Sequence, residues 1–298
     1  MTQISPAPPR KSRGTSAKAV ARQRHRRRVI TLWAVSGVLT VVVAVVTILG
    51  VMGARSGGAD AQTSNTTTPG TTLMQRVSQV DPAVLSAVGS AGLPSTFASL
   101  KGAPALTGAS GRPEMLYIGA DYCPYCAAQR WSLVVALSRF GSFDSLALTR
   151  SSSSDVYPDT ATFSFSGAHY TSPYLDFVAV ETADRTGNPK EQPTAAQRQL
   201  LTTYDAPPYV PASAAGGIPW VDVGGRYAMV SSGFTPQILA GLDWNAIAGK
   251  LSDPKDLVTQ GIVGNANNIT AAICKVTGMQ PAAVCGAAPV AGLVAQLP

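Results

Sequence analysis

Residues 29–54, VITLWAVSGVLTVVVAVVTILGVMGA, run for 26 positions without a charged side chain. At about 1.5 Å per residue, a helix of that length crosses a hydrocarbon core of about 30 Å. The run therefore predicts a transmembrane helix. Residues 1–28 ahead of it hold nine of the chain's 23 Lys and Arg and no acid. Such positive charge is retained on the cytoplasmic side of a membrane. The expectation is a single-pass cell-membrane protein with a basic cytoplasmic tail and everything after Arg55 outside. The rival reading is a cleaved signal peptide, with Ala59 and Ala61 as the small residues of a cleavage site. Against it, the apolar run exceeds the usual h-region of about 7 to 15 residues. Both readings export the body.

Beyond Arg28, 14 basic residues stand against 16 acidic ones, so the formal charge of +7 belongs to the tail. A topogenic tail suits anionic lipid better than nucleic acid, and no nucleic-acid partner is expected. Residues 55–72, RSGGADAQTSNTTTPGTT, cannot bury enough apolar surface to offset chain entropy and read as a flexible linker. Residues 73–298 have globular composition and suit one extracytoplasmic domain without internal repeats.

Within that domain, DPAVLSAV predicts a short helix over 82–88 with Asp81 as its cap, followed by loop-rich sequence up to Arg112. The apolar run at 115–119 reads as a buried strand between Pro113 and Gly119. It leads directly into a helix that starts at Pro124 and stops at Gly141. That helix is apolar on several sides, at Trp131, Val134, Val135, Leu137 and Phe140, so other elements should cover it. Further strands are expected at 143–149 and 175–180. Residues from about 151 to 215 read as an insertion over one face, with a helix at 194–203. A hairpin at 220–223 and 227–230 turns at Gly224-Gly225. A helix from Thr235 to about Lys250 follows, and residues 253–298 add a helical extension of two short pieces with one cysteine each. This order predicts an α/β domain with a central mixed sheet flanked by helices.

Cys123 and Cys126 lie at the strand-to-helix junction, in GADYCPYCAAQRW. A cysteine at a helix N-terminus is activated because free amides and the helix dipole stabilise its thiolate. Cys123 is thus the expected nucleophile. Cys126, one turn further in, is placed to resolve a mixed disulfide formed at Cys123. A zinc site is not expected: it needs about four ligands, and the only candidates besides this pair are Cys274 and Cys285 at C-x10-C spacing, His25 in the cytoplasmic tail and His169. No other cofactor is expected. Cys274 and Cys285 read as a structural disulfide that holds the C-terminal helical pair, worth about 2.5 to 3 kcal/mol in the chain-entropy model. The alternative is a second redox pair serving the first. His169, without a visible partner, reads as structural, and Trp131 as core.

The chain resembles the thioredoxin superfamily in three features. Cys123-Pro124-Tyr125-Cys126 matches the C-x-x-C motif, Ile218-Pro219 matches the cis-proline position, and the element order fits. More closely, LYIGADYCPYCAAQRWSLVVALSRFG with the later GIPWVDVGGRY is similar to membrane-anchored thioredoxin-like proteins of actinobacteria known as a domain of unknown function. That likeness covers most of residues 75–290. It implies a thioredoxin-like fold and a peptide-binding surface at Ile218 and Pro219, which Tyr122 and Tyr125 would help shape. One departure matters: the buried carboxylate that thioredoxins carry six positions before the first cysteine is replaced by Tyr117, and neither Asp121 nor Glu114 matches it.

The expected function is thiol-disulfide oxidoreductase activity on thiols or disulfides of exported proteins, with the direction open between oxidase, isomerase and a reductase fed by a membrane electron-transfer partner. The competing expectation is a non-catalytic binding or assembly module that uses the same groove.

Overall fold

The computed structural model describes residues 70–298. The tail expected at 1–28, the span at 29–54 and nearly all of the linker lie outside the described residues. Among the described residues no helix is long and apolar enough to cross a membrane. In chain order the elements are α1 (Thr71–Ser78), α2 (Pro82–Val88), β1 (Ala98–Ser99), β2 (Glu114–Gly119), α3 (Pro124–Leu137), β3 (Ser142–Arg150), β4 (Ala161–Thr171) and β5 (Asp176–Glu181). They continue with α4 (Ala195–Tyr204), β6 (Trp220–Val223), β7 (Tyr227–Val230), a 3-10 turn (Pro236–Leu239), α5 (Trp244–Lys250), α6 (Leu257–Val276), α7 (Ala282–Cys285) and α8 (Val290–Val294).

Five strands form one mixed sheet in the order β1-β7-β6-β2-β5. Strand β2 is parallel to β5 and antiparallel to β6, and β6 and β7 form the hairpin at Gly224-Gly225. Successive side chains of a strand point to opposite faces, so β2 serves two cores. Met115 and Tyr117 join the larger core with α3 and α6, while Leu116 and Ile118 join a smaller one with Trp220 and the α4 residues Leu200 and Leu201. The result is an α/β domain with a mixed sheet flanked by helices.

Helix α3 is buried at every position except Tyr125, as its all-round apolar pattern implies. Pro124 at its first position gives up an amide that has no intrahelical partner anyway. Strand β4 is fastened to α3 by aromatic and polar contacts together. The Trp131 indole donates to the Ala161 carbonyl at 2.8 Å, its ring lies 4.6 Å from that of Phe163, and Thr162 donates to the Ala127 carbonyl at 2.8 Å.

Several elements differ from the sequence expectation. Helix α1 begins at the end of the expected linker, because Leu73 and Val77 are buried in the larger core. The loop-rich stretch before Arg112 contains β1, a two-residue strand paired with β7. Strand β4, the longest in the domain, lies in the region read as an insertion. It pairs with β3 as a separate two-stranded sheet.

The helix expected over 235–250 is broken. Gly241 takes a φ of +73°, and Asp243 caps a fresh helix by accepting the Ala246 N–H at 2.8 Å. At the C-terminal end, the first of the two expected short pieces is the 20-residue helix α6, packed against α3. Its glycines permit close approach: a Cβ at Gly264 would stand 2.7 Å from the Ser90 carbonyl oxygen. Cys274 on α6 and Cys285 on α7 are joined in a disulfide.

Asp222 in β6 generates a pH prediction. It is fully buried; one oxygen accepts the Gly225 N–H at 2.7 Å and the other has no protein partner. Burial, aided by the nearby Glu114 charge, lifts its carboxyl from 3.8 to about 7. The folded state thus holds this proton more tightly than the unfolded chain, so the contribution to stability is complete below pH 3.8 and is lost as pH rises through about 7. Asp222→Asn keeps an acceptor for Gly225 and removes the titration. Urea unfolding should show the variant more stable than wild type by about 4 kcal/mol at pH 8, with the gap vanishing near pH 4. A pH-independent gap would contradict this account.

Candidate functional site

The two free cysteines sit where β2 delivers the chain into α3. Cys123 has the extended backbone of an N-cap residue, and its sulfur occupies the place that a capping oxygen takes in most helices. It accepts the Cys126 N–H at 3.3 Å. The thiol also reaches the Ile218 carbonyl at 3.7 Å, which brings the chain segment before β6 against the sulfur. The Ile218–Pro219 peptide bond is cis. Cys123 is 6% exposed and Cys126 is fully buried behind it.

These surroundings separate the two thiols. The hydrogen bond from Cys126 holds the Cys123 thiol below its ordinary range against the opposing effect of desolvation, with backbone amides and the Arg130 charge acting in the same sense as that bond. Burial pushes the Cys126 thiol well up, reinforced by its hydrogen bond to Cys123 and the charge there. One sulfur is suited to attack as a thiolate, the other to hold a proton until it is needed.

Tyr122 and Tyr125 flank Cys123. Tyr125, at 37% exposure, projects from the helix start with its ring 6.0 Å from that of Tyr157, and the Tyr122 carbonyl accepts the Ser152 N–H at 2.8 Å. The serine-rich loop over 151–160 therefore leans on the cysteine turn. Cys123, Cys126, Tyr122, Tyr125, Ile218 and Pro219 are thus brought to one place. His169 lies on an exposed part of β4, opposite Ser145, and takes no part in it. The Cys274–Cys285 disulfide ties α6 to α7 and belongs to the helical layer. No cluster of His, Cys, Asp and Glu able to hold a metal ion occurs among the described residues. A cavity of about 640 Å³, lined in part by Lys101, Arg226 and Lys275, opens at the other end of β2, beside the hairpin tip; no residue of the cysteine site lines it.

Sequence reasoning missed the charged group beneath the cysteines. The Arg130 guanidinium is fully buried and grips Glu181 with two prongs, Nε to Oε1 at 2.8 Å and Nη2 to Oε2 at 2.7 Å. Nη2 also donates to the Ala120 carbonyl at 2.7 Å and stands 3.7 Å from Asp121, which in turn binds Lys190 at 2.7 Å. A signal was present: Arg130 is a single cation in an otherwise uncharged helix, four residues after Cys126, and Glu181 ends the apolar run LDFVAVE. Tyr117 stands on β2, six positions before Cys123. Its hydroxyl is buried without a protein partner and sits where any side chain at Gly119 would collide with it.

The geometry predicts unequal reactivity. In native protein treated with iodoacetamide over a pH series, Cys123 should be alkylated with a midpoint below the ordinary cysteine value of about 8.5. Cys126 should stay unmodified until the fold is lost. Mass mapping of the peptide that carries both residues checks each statement, and equal labelling of the two sulfurs would refute the asymmetry.

No curated protein and no solved structure gives a significant match to this chain. The family described as Domain of unknown function (DUF929) matches residues 104–275, from the loop before β2 to the last turn of α6 and so including both free cysteines. That match spans more than half of the chain, and the chain belongs to this family.

Proposed function

We propose that this chain is a thioredoxin-fold thiol-disulfide oxidoreductase, anchored in the cell membrane by residues 29–54 and acting on exported proteins through Cys123 and Cys126. The observation that carries this reading is the cysteine turn itself. A nearly covered sulfur, 6% exposed and capped by an amide, lies against the Ile218 backbone, with a second thiol sealed directly behind it. The fold is consistent with it. Strands β7-β6-β2-β5, with a parallel pair joined across α3 and an antiparallel hairpin followed by a helix beside α3, have the order of a thioredoxin core.

The exchange proceeds in two displacements. The Cys123 thiolate attacks one sulfur of a partner's disulfide, forming a mixed disulfide and releasing the partner's other sulfur as a thiolate. Cys126 then attacks the Cys123 sulfur, its proton passing to the departing partner sulfur, and the Cys123–Cys126 disulfide closes. Two electrons move from the pair to the partner. Run in reverse, the same steps give a disulfide to a partner dithiol. The low exposure of Cys123 favours the competing reading, a binding module that uses the groove beside Pro219 without chemistry.

Cys126→Ala separates the two. With no resolving sulfur, mixed disulfides through Cys123 should accumulate in cells that express the full-length variant, seen as reductant-sensitive bands absent from Cys123→Ala. If none forms, and the wild-type protein neither oxidises nor reduces a model dithiol protein, the binding module stands. The anchor is tested by alkaline extraction of membranes, which should leave the protein in the membrane fraction. Release of a form that begins near Gln62 would replace the anchor with a cleaved leader.

A further inference from the structure

Sealing a charged pair away from water costs several kcal/mol per ion unless its contacts compensate, yet Arg130 and Glu181 both have no exposed side-chain surface. Their placement relative to the cysteines gives this pair a role. Arg130 lies four residues after Cys126 and seven after Cys123, one and two turns further along the same face of α3. Helical side chains lean towards the helix N-terminus, which carries the guanidinium back towards the cysteines. The Ala120 carbonyl that accepts Arg130 Nη2 also accepts the Cys123 N–H, at 3.3 Å. A single backbone oxygen therefore links the guanidinium to the Cys123 main chain. Nη1 has no protein partner although it is buried.

We propose that Arg130 is a positioning residue for the cysteine pair: held by Glu181 and the Ala120 carbonyl, its buried positive charge stabilises the Cys123 thiolate, favours dithiol over disulfide, and makes the chain a donor of disulfides to exported dithiol proteins. This deepens the exchange function proposed above and rests on it. A substrate thiolate attacks the Cys123 sulfur of the oxidised pair, the Cys123–Cys126 bond breaks, and Cys126 leaves and takes up a proton. The second substrate thiolate then attacks the substrate sulfur of the mixed disulfide, and Cys123 departs as the thiolate that Arg130 stabilises. Two electrons pass from substrate to pair, and the substrate gains one disulfide.

The other charged or titratable groups that face the pair do not replace this charge. Tyr117 projects from β2, Tyr122 lies in the turn and Tyr125 at the helix start; Asp155 acts on the two flanking tyrosines, and Asp121 is bound to Lys190. Burial draws the Glu181 carboxyl upward, and the two prongs of Arg130 oppose that shift. Its anion acts on Cys126 in the sense opposite to Arg130 and more weakly.

The test uses the full-length protein as wild type, Arg130→Lys, Arg130→Met and Glu181→Gln. Each is equilibrated with reduced and oxidised glutathione, quenched by alkylation, and the state of the cysteine pair read by mass; the pH midpoint of Cys123 alkylation is measured in parallel. At a pH above both midpoints, Arg130→Met should shift the equilibrium about tenfold towards the disulfide, matching a rise of about one pH unit in the midpoint, the two then being the same free-energy change. Arg130→Lys, which keeps a positive charge without the two-pronged grip, should fall between wild type and Arg130→Met. Glu181→Gln should move both readings the opposite way, because it leaves the guanidinium uncompensated. A purely structural role predicts shifts of the same sign in Arg130→Met and Glu181→Gln, and that result, or no shift in either, overturns the proposal. Should Arg130→Met lose its near-UV circular dichroism, the sign of the Glu181→Gln shift decides. If the wild-type pair does not exchange with glutathione at all, the oxidoreductase reading and the donor role fall together, while the midpoints still decide whether Arg130 sets the thiolate.

Discussion

Strand β2 is hydrogen-bonded on both edges and covered on both faces, and the rest of the domain is arranged around that constraint. With β5 on one side and β6 on the other, its amides and carbonyls are engaged in ladders of opposite sense. Its residues from Met115 to Gly119 are buried. Such a strand cannot shift register without moving Met115 and Tyr117 out of the larger core and Leu116 and Ile118 out of the smaller one. The point at which it releases the chain is therefore fixed, and the cysteine turn inherits that rigidity.

The same rigidity makes the buried ion pair tolerable. Removing one partner of such a pair costs about 3 to 5 kcal/mol, because the other charge is left stranded. Compensation comes from three elements at once. Arg130 extends from α3, Glu181 ends β5, and the Ala120 carbonyl belongs to the turn that precedes Cys123. Glu181 also accepts the Phe165 N–H at 3.2 Å, which ties β4 to the same group. Helix, sheet edge and cysteine turn are thus locked by one guanidinium and one carboxylate, so the geometry around Cys123 and the stability of the larger core are coupled.

Much of the fold was legible because local signals agreed with it. The hairpin at Gly224-Gly225 needed two residues with positive φ, and both glycines adopt it. Asp81 and Cys123 cap their helices from the positions that their sequence contexts imply, while Thr194, expected as the first residue of its helix, is its cap. Legibility failed where residue propensity and tertiary burial disagreed. Helix α6 contains Gly261, Gly264, Asn265, Asn267 and Asn268, weak helix formers that fragment its pattern. In the fold these residues are buried by choice of partner: Asn265 donates to Gln129 at 2.8 Å, and Asn267 donates to the Leu85 and Gly89 carbonyls. Strand β4 alternates Phe163 and Phe165 with small polar residues, a period-2 pattern obscured by the serine run before it.

The sequence by itself determined the strand-to-helix junction, the position of Cys123 at a helix start and the one-turn offset of Cys126, since these follow from apolar periodicity, Pro124 and a spacing of three. Only the tertiary structure decided what surrounds them. Ile218 lies 95 residues from Cys123 in sequence and Glu181 lies 51 from Arg130, yet their atoms meet. Local propensity cannot encode such contacts, because they exist only after the sheet has brought β5 and β6 to either side of β2. The thiol that the sequence marked as reactive therefore takes its electrostatic environment from residues that the fold, and not the motif, places beside it.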